Sequence, residues 1–327
     1  MKNTYKFAFV LLTAMAANAQ DTATNSYTQT NLTSDIAGLG AFTDPKLINP
    51  WGLSRNTTSY WWAADEGTGF STVYDGTGDP SKLIVSVPPF SGTGPGTPAG
   101  TCAVGTADFV FSTLDGTISE WASVGTKAVI KVKKSGAVYT GCTTATSGTK
   151  QTIFVANSAG GVEAYTTAFV PVTLAPGAFT DPSVPAGYTP YGIQALGAKI
   201  FVTFSAAPGE GGYVDEFNQA GTLLLSFAQG KFNQPWGIAL APAGFGKFPG
   251  DILVGNVGSG EIGAYSPTTG KFAGFLENSS GKPLANSGLW GLGFGGGNAN
   301  SGATSSLYFT AGIDNYLHGL FGMITAN

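Results

Sequence analysis

Short apolar and aromatic runs, each followed by a glycine, recur along most of this chain. Five segments share a glycine that precedes an aromatic residue by five positions, namely Gly69 and Tyr74, Gly116 and Trp121, Gly160 and Tyr165, Gly212 and Phe217, and Gly260 and Tyr265. A short run of β-branched or aromatic residues lies before each glycine, as at residues 153–155 and 200–204. Runs of this kind, ended by glycine-rich turns, predict short buried β-strands.

A second mark, two residues followed by a glycine, opens another strand upstream in each unit. The glycines of this mark are Gly52, Gly100, Gly141, Gly192, Gly237 and Gly291. Each unit is therefore predicted to hold four strands: A after this glycine, B in the apolar run, C in the glycine-to-aromatic pair, and D at the end. One such unit leaves its faces uncovered, and stacking units around an axis buries them.

Six marks predict an all-β fold, a six-bladed β-propeller in one domain that spans residues 20–327. The last unit has strands A, B and C near residues 291–294, 307–310 and 319–324, and it lacks a fourth strand. We expect the N-terminal segment 27–33 to supply that strand and close the ring, which removes an open sheet edge. A pair of β-sandwiches or a β-solenoid is the competing architecture, but solenoid repeats are usually shorter, about 20–30 residues.

Residues 1–19 have the pattern of a secretory signal peptide. Lys2 and Lys6 precede an apolar run at 7–17, and small residues at Ala17 and Ala19 occupy the positions that signal peptidase reads. We expect cleavage before Gln20 and a secreted or periplasmic protein. The run is too short for a retained transmembrane helix, and a buried first helix is the alternative. No later stretch is apolar enough to span a membrane.

Composition and cysteine usage narrow the possible functions. Charged residues make up 10% of the chain, and the net charge is −4 without a basic block, so nucleic-acid binding is disfavoured. Cys102 and Cys142 fall on neighbouring inner strands, and a disulfide is the default in an exported chain, provided that adjacent blades bring the Cα atoms close enough. Two cysteines and one histidine cannot supply the four ligands of a usual zinc site.

Several short motifs follow one another in a fixed order between residues 31 and 324. They are NPWGL at 49–53, DEGTG at 65–69, DGTIS at 115–119, APAGFG at 241–246, LWGL at 289–292 and HGLFG at 318–322. In these motifs the chain resembles an uncharacterised family of secreted bacterial six-bladed propeller proteins, some of which carry a C-terminal sorting tail. The tail is not found here, so we do not expect anchoring by that route. More distantly, the blades resemble NHL-type and gluconolactonase-like propellers, a likeness of fold that says little about function.

The resemblance implies that the loop entering strand A and the loop leaving strand B open at the same end of the central channel. The residue before the strand-A glycine is aromatic in four blades: Trp51, Tyr191, Trp236 and Trp290. A ring of aromatic faces at that mouth is a candidate ligand site, because such faces stack on sugars and other flat ligands. The alternative is that these side chains pack between the inner strands of adjacent blades.

A second candidate set closes strand B, namely Asp65, Asn157 and Asn256. Carboxylate and amide oxygens that converge on a channel suit calcium, and the resemblance to gluconolactonase-like propellers implies a calcium ion at this end. The alternative is that Asp and Asn simply make the turn after the strand, since both bond their own backbone.

Two functions from different classes stay open. The first is a monomeric, non-enzymatic scaffold that binds a glycan, a small molecule or an extracellular protein at the aromatic mouth. The second is a calcium-dependent lactonase- or lyase-like hydrolase, in which the ion polarises a carbonyl at the channel mouth. The scarcity of carboxylates and the single histidine, His318, favour the first, because nothing in the sequence supplies an obvious general base.

Overall fold

β-branched and aromatic residues fill the strands and glycine-rich turns end them, so the chain folds into short antiparallel ladders. The computed structural model describes Met1 and residues 23–206, 211–227 and 231–327. In these residues the strands form six sheets, which are the six blades of the predicted β-propeller; five have four strands, and the sixth has four strands and a short fifth at its outer edge. The apolar run 7–17 and the cleavage site before Gln20 lie outside the described residues. None of the described helices is long and apolar enough to cross a bilayer.

The strands follow the chain from the N-terminal pair to blade six, and each blade runs from strand A on the inside to strand D on the outside. The N-terminal strands are β1 (Tyr27–Ser34) and β2 (Phe42–Thr43). Blade one has β3 (Pro50–Ser54), β4 (Trp61–Asp65), β5 (Phe70–Tyr74) and β6 (Val85–Ser86). Blade two has β7 (Pro98–Val104), β8 (Asp108–Thr113), β9 (Thr117–Trp121) and β10 (Val129–Lys133). Blade three has β11 (Tyr139–Ser147), β12 (Lys150–Asn157), β13 (Gly161–Thr166) and β14 (Pro171–Val172).

The second half of the ring repeats this arrangement. Blade four has β15 (Thr189–Leu196), β16 (Lys199–Ser205), β17 (Tyr213–Asn218) and β18 (Leu223–Ser226). Blade five has β19 (Pro235–Leu240), β20 (Ile252–Asn256), β21 (Ile262–Tyr265) and β22 (Phe272–Phe275). Blade six has β23 (Leu289–Phe294), β24 (Leu307–Ala311), the short turn α1 (Ile313–Tyr316) and β25 (Leu320–Ala326).

The N-terminal strand completes blade six, which confirms the predicted ring closure. β1 pairs antiparallel with β25 from its first residue to its last, and β2 adds to the outer side of β1. Asp35, directly after β1, accepts a hydrogen bond from the backbone N–H of Gly319 at 2.8 Å and lies 2.6 Å from Nδ1 of His318. The bond to Asp35 raises the pKa of His318. The single histidine of the chain therefore helps to join the two ends of the ring.

Strand A carries a β-bulge at the glycine mark in all six blades. In blade one, Pro50 faces Asp65 and Leu53 faces Ala63, so three steps along β3 match two steps along β4. The other five blades have the same extra residue on strand A. A bulge bends the strand and redirects a side chain, which explains why the repeated mark has a fixed place at the start of each inner strand.

The glycine of the mark lies where the inner strands of adjacent blades meet. A Cβ atom on Gly52 would come 2.6 Å from the backbone nitrogen of Thr101 in blade two. A Cβ atom on Gly237 would overlap the carbonyl oxygen of Trp290 in blade six. Similar clashes with the next blade would occur at Gly100, Gly192 and Gly291. The inner strands can therefore approach the axis this closely only where side chains are absent.

Aromatic contacts between neighbouring blades build much of the core. Trp62 of blade one stacks on Phe109 of blade two with ring centroids 4.2 Å apart, and Trp61 packs on Tyr308 of blade six at 5.0 Å. The five aromatic residues that marked strand C in the sequence are all buried: Tyr74, Trp121, Tyr165, Phe217 and Tyr265. Because each blade packs on two neighbours, the ring stabilises blades that would not be stable alone.

A disulfide joins Cys102 on β7 to Cys142 on β11. The two Cα atoms are 5.8 Å apart, within the usual range for a disulfide. The inner strands of adjacent blades therefore lie close enough for the predicted bridge. A cross-link over a sequence separation of 40 residues stabilises a fold by about 3–4 kcal/mol, mainly by restricting the unfolded chain.

We predict that Gly237→Ala destabilises the propeller whereas Gly141→Ala does not. The new methyl group at Gly237 overlaps backbone of the next blade, and overpacking of this kind costs about 1–3 kcal/mol. At Gly141 the nearest atom would be the backbone nitrogen of Ile193 at an ordinary 3.5 Å, so that variant is the matched control. Urea unfolding followed by tryptophan fluorescence measures both; equal losses of stability would contradict this account of the glycine mark.

Candidate functional site

The six inner strands give the central channel two different ends. Pro50 at the start of β3 pairs with Asp65 at the end of β4, and Pro235 at the start of β19 pairs with Asn256 at the end of β20. The loops entering strand A and leaving strand B therefore share one end, as the resemblance implied; we call it the BC-turn end. The turns between strands A and B lie at the opposite end, the AB-turn end.

The four predicted aromatic residues meet on the channel axis at the BC-turn end, and we call them the aromatic cluster. Trp51 and Trp290 stack with ring centroids 3.7 Å apart. Tyr191 and Trp236 contact Trp51 edge-on at 6.0 and 6.5 Å. Blades one and four lie opposite each other in a ring of six, so the contact between Trp51 and Tyr191 reaches across the channel and fills it.

The four aromatic side chains bury much of their ring surface against one another, and this surface is then not exposed to a ligand. Trp51 and Trp290 are buried, and Tyr191 and Trp236 are half-buried. Burial raises the pKa of the Tyr191 hydroxyl. The side chains of the cluster thus pack between the inner strands, which was the alternative stated for these residues. Ligand binding by the cluster stays a prediction.

Among the described residues, two of the three indole N–H groups in the cluster donate a hydrogen bond, and the third does not. Nε1 of Trp236 donates to the carbonyl oxygen of Thr140 at 3.1 Å, and Nε1 of Trp290 donates to Oδ1 of Asn49 at 3.1 Å. Nε1 of Trp51 is buried and has no acceptor among the described residues. An unpaired buried donor costs about 1–3 kcal/mol, so close stacking of Trp51 is maintained at the expense of one hydrogen bond.

A strained turn covers the outer face of the aromatic cluster. Asp314, Asn315 and Tyr316 all have positive φ angles, of 50°, 55° and 67°. Asp and Asn tolerate this left-handed conformation better than Tyr, for which it costs about 1–2 kcal/mol. The Tyr316 ring lies 5.8 Å from that of Trp290. The turn thus adds a fifth aromatic ring to the closed end of the channel.

Two of the three predicted calcium ligands use their side-chain oxygens in hydrogen bonds to the backbone. Oδ1 of Asn157 accepts hydrogen bonds from the backbone N–H groups of Val138 and Ala159 at 3.0 and 3.1 Å. Oδ1 of Asn256 accepts one from the backbone N–H of Asn233 at 2.9 Å. The Asn157 oxygen therefore helps to form the turn after its strand, the role that the sequence left open. The Asn256 oxygen instead binds the loop that enters strand A of the same blade.

Asp65 is fully buried at the end of β4. Its Oδ2 accepts a hydrogen bond from the Thr72 hydroxyl at 2.8 Å, and its Oδ1 has no partner among the described residues. Burial, and to a lesser extent the charge of Asp44, raises the pKa of Asp65 well above its ordinary value. Calcium needs six to eight oxygen ligands, and no group of three His, Cys, Asp or Glu in the described residues could hold a metal. As arranged here the donor set does not fit a calcium ion, and the metal site stays a prediction.

At the AB-turn end the channel widens into a cavity of about 500 Å³, which we call the funnel. All six blades line it through the ends of their A strands, and the exposed residues Thr57 and Thr106 lie at its rim. The Cys102–Cys142 disulfide forms part of its wall. A passage with room for about one water, lined partly by Trp236, separates the funnel from the aromatic cluster.

Hydroxyl and amide groups supply most of the polar lining of the funnel. They include Ser54, Thr101, Thr143, Thr144, Gln151 and Gln194. Arg55 is the one charged residue in the described lining, which contains no carboxylate, histidine or lysine. The funnel can therefore hydrogen-bond a polar ligand, but it offers neither a general base nor a set of metal ligands.

Arg55 is the functional candidate that the repeat pattern did not reveal. It follows β3, and its guanidinium donates from Nε to the carbonyl oxygen of Phe294 at 2.9 Å and from Nη2 to that of Gly295 at 3.0 Å. Burial lowers its pKa. One sequence signal was present: Arg55 is the only arginine among 15 cationic residues.

A second depression, of about 630 Å³, lies outside the ring between blades two and three. It contains Lys131, Lys133 and Lys134, the densest group of lysines in the sequence. Lys131 pairs with Glu120 at 3.0 Å, and Lys134 pairs with Glu163 at 2.9 Å. Because carboxylates neutralise two of these lysines, this surface lacks the excess positive charge typical of a nucleic-acid site.

No known family model matches the sequence. Two uncharacterized proteins of Acanthamoeba polyphaga mimivirus are similar to part of it. One is 33% identical over 156 residues, covering 44% of this chain and 38% of the viral protein. The other is 31% identical over 157 residues, covering 44% of this chain and 40% of the viral protein. The match thus spans less than half of the length of either relative.

Solved structures with a similar fold include proteins of different kinds. A streptogramin B lyase covers 92% of this chain and is itself covered to 98%, with a TM-score of 0.56. A PQQ-bound aldose sugar dehydrogenase from Streptomyces coelicolor covers 92% of this chain and is itself covered to 99%, with a TM-score of 0.54. A chain of a nidogen/laminin complex covers 81% of this chain and is itself covered to 84%, with a TM-score of 0.51. Each is 13% identical to this chain, so the likeness shows the fold alone.

We predict that Asp65→Asn stabilises the protein at neutral and higher pH. Because folding raises the pKa of Asp65, the protonated carboxyl stabilises the folded state at low pH. This stabilisation decreases as the pH rises above the pKa of the unfolded chain and is lost at the raised pKa. The variant should therefore gain over the wild type as the pH rises above about 4, near the ordinary value of 3.8. The gain should increase with pH across this range, because the amide that replaces the carboxylate cannot ionise. Thermal and urea unfolding across pH 4–9 measures it.

Asp79→Asn is the matched control, because it makes the same change at an exposed carboxylate of the same blade. The same unfolding series, run with calcium and with a chelator, tests the metal site. We expect the midpoint to stay unchanged. A midpoint that calcium raises in the wild type but not in Asp65→Asn would contradict this account and restore the predicted calcium site.

Proposed function

We propose that this chain is an exported, non-enzymatic binding module that takes a small hydroxyl-rich ligand, such as part of a glycan, in the funnel. The observation that carries the proposal is the lining of the funnel: hydroxyl and amide groups from several blades, interspersed with apolar residues, around a cavity of about 500 Å³. Small-ligand sites usually have volumes of about 300–1,000 Å³ and a few polar groups that fix the ligand's orientation.

Binding without catalysis agrees with the chemistry of the described lining. General acid–base catalysis needs a group that titrates near the working pH, and Arg55 stays protonated. Cys102 and Cys142 are joined in the disulfide, so neither supplies a thiolate nucleophile. A lactonase-like hydrolase would need a metal-bound or base-activated attacking group, and the described residues of the funnel offer neither.

Export is supported by two independent features. Residues 1–19 have the charge and hydropathy pattern of a signal peptide. The described part of the chain contains a disulfide, and disulfides persist mainly in oxidising compartments outside the cytoplasm. A secreted or periplasmic binding protein accounts for both.

Placing the ligand in the funnel moves it to the opposite end from the aromatic mouth considered in the sequence. The aromatic rings contact one another across the axis, whereas the funnel opens to solvent at its rim. Fold relatives do not choose between these sites or supply an activity, because a lyase, a dehydrogenase and a protein complex share this architecture.

We predict that a bulky substitution in the funnel abolishes ligand binding. Gln194→Trp fills the cavity between blades three and five, and Leu317→Trp places the same side chain at the exposed BC-turn end. On an array of neutral and acidic glycans, the wild type and Leu317→Trp should bind the same glycans, and Gln194→Trp should lose at least tenfold in signal.

The reverse result, with loss of binding in Leu317→Trp and retention in Gln194→Trp, would contradict the funnel and favour the aromatic cluster. Melting temperatures of both variants must stay near that of the wild type, so that loss of binding reports on the site and not on folding.

A further inference from the structure

The single arginine of the chain is a fixed, unneutralised cation in the funnel. Nε, Nη1 and Nη2 of Arg55 donate to the carbonyl oxygens of Phe294, Asn56 and Gly295 at 2.9, 3.1 and 3.0 Å. The guanidinium also lies over the ring of Trp61, 5.4 Å from its centroid. These contacts come from blades one and six and hold the guanidinium plane in one orientation.

Neutral carbonyl groups orient this charge but do not cancel it. No carboxylate among the described residues forms an ion pair with Arg55, and none lies in the described lining of the funnel. A guanidinium has five N–H donors, so three bonds to carbonyl oxygens leave two donors, one on each Nη atom. Burial lowers the pKa of Arg55, which marks the cost of a partly desolvated cation without a counter-ion.

The geometry points to a ligand that carries an anionic group. We infer that the funnel binds an acidic saccharide, a sugar whose carboxylate pairs with Arg55 and whose hydroxyl groups bond the threonine and glutamine side chains of the lining. This inference rests on the proposed function and deepens it. A planar guanidinium is suited to carboxylates and related oxyanions, and pre-orientation reduces the entropy lost when a ligand binds.

The hydroxyl-bonding part of the site lies in other blades. Gln194 belongs to blade four, whereas Thr144 and Gln151 belong to blade three and hydrogen-bond each other at 3.2 Å. A ligand that touches both Arg55 and these residues must cross the funnel, and a sugar ring with an acidic substituent presents polar groups at both ends. A simple inorganic anion would use Arg55 alone.

Calorimetric titration with sodium D-glucuronate, D-glucose and glucose 6-sulfate tests the inference. We expect glucuronate to bind the wild type about tenfold more tightly than glucose, the effect of one charge-assisted contact, and raised salt to weaken the preference. Arg55→Met should bind glucuronate no more tightly than glucose, because the charge that distinguishes the two sugars is gone. Lys150→Met removes an exposed charge at the same end of the ring, outside the funnel lining, and should retain the preference.

Arg55→Met also loses two hydrogen bonds to blade six and one to Asn56 of its own blade, so melting temperatures accompany every titration. Arg55→Lys provides a second variant that keeps the charge without the planar fork. Arg55→Lys should retain a weaker preference for glucuronate. Equal binding of glucose and glucuronate by the wild type overturns the inference and leaves the proposed function standing. A preference for glucose 6-sulfate over glucuronate overturns the carboxylate assignment. Failure of all three probes overturns both the inference and the proposed function.

Discussion

Six inner strands meet around one axis, and at five of the six glycine marks an atom of the next blade lies too close to leave room for any side chain. The carbonyl oxygens and backbone nitrogens of one blade lie where a side chain of the preceding blade would otherwise be, as between Gly237 and Trp290. The β-bulge that accompanies each glycine turns the preceding residue toward the channel. The same crowding brings Cys102 and Cys142 to 5.8 Å between Cα atoms, close enough for the disulfide.

This crowding makes the two ends of the channel different. At the BC-turn end, large side chains from the bulges contact each other across the axis and close the channel. At the AB-turn end the inner strands carry smaller and more polar residues, and the channel widens into the funnel. The aromatic cluster therefore packs the ring at one end, and the funnel provides accessible polar surface at the other. Arg55 lies at the rim, where backbone carbonyl groups of blade six orient its charge.

The sequence predicted whatever repeats. Six glycine marks predicted six blades, the unassigned segment at 27–33 predicted the closing strand, and two cysteines on adjacent inner strands predicted the bridge. Contacts between side chains of different blades, and the cavities between them, could not be predicted, because they depend on distances across the ring. The side chains of Trp51 and Tyr191 were expected around an open mouth, but a six-bladed ring is narrow enough for them to touch. Arg55 belongs to no repeat, and its acceptors Phe294 and Gly295 lie 239 and 240 residues away along the chain. The funnel results from spaces between blades, and no sequence motif corresponds to it.

A crystal structure of the mature protein soaked with D-glucuronate tests the central claim most directly, because it reports which end of the channel accepts a ligand. The account predicts electron density for the sugar in the funnel, with its carboxylate on the guanidinium of Arg55 and the aromatic cluster unchanged. Density for the sugar stacked on Trp236 or Tyr191 at the BC-turn end, with the funnel holding only water, would contradict it.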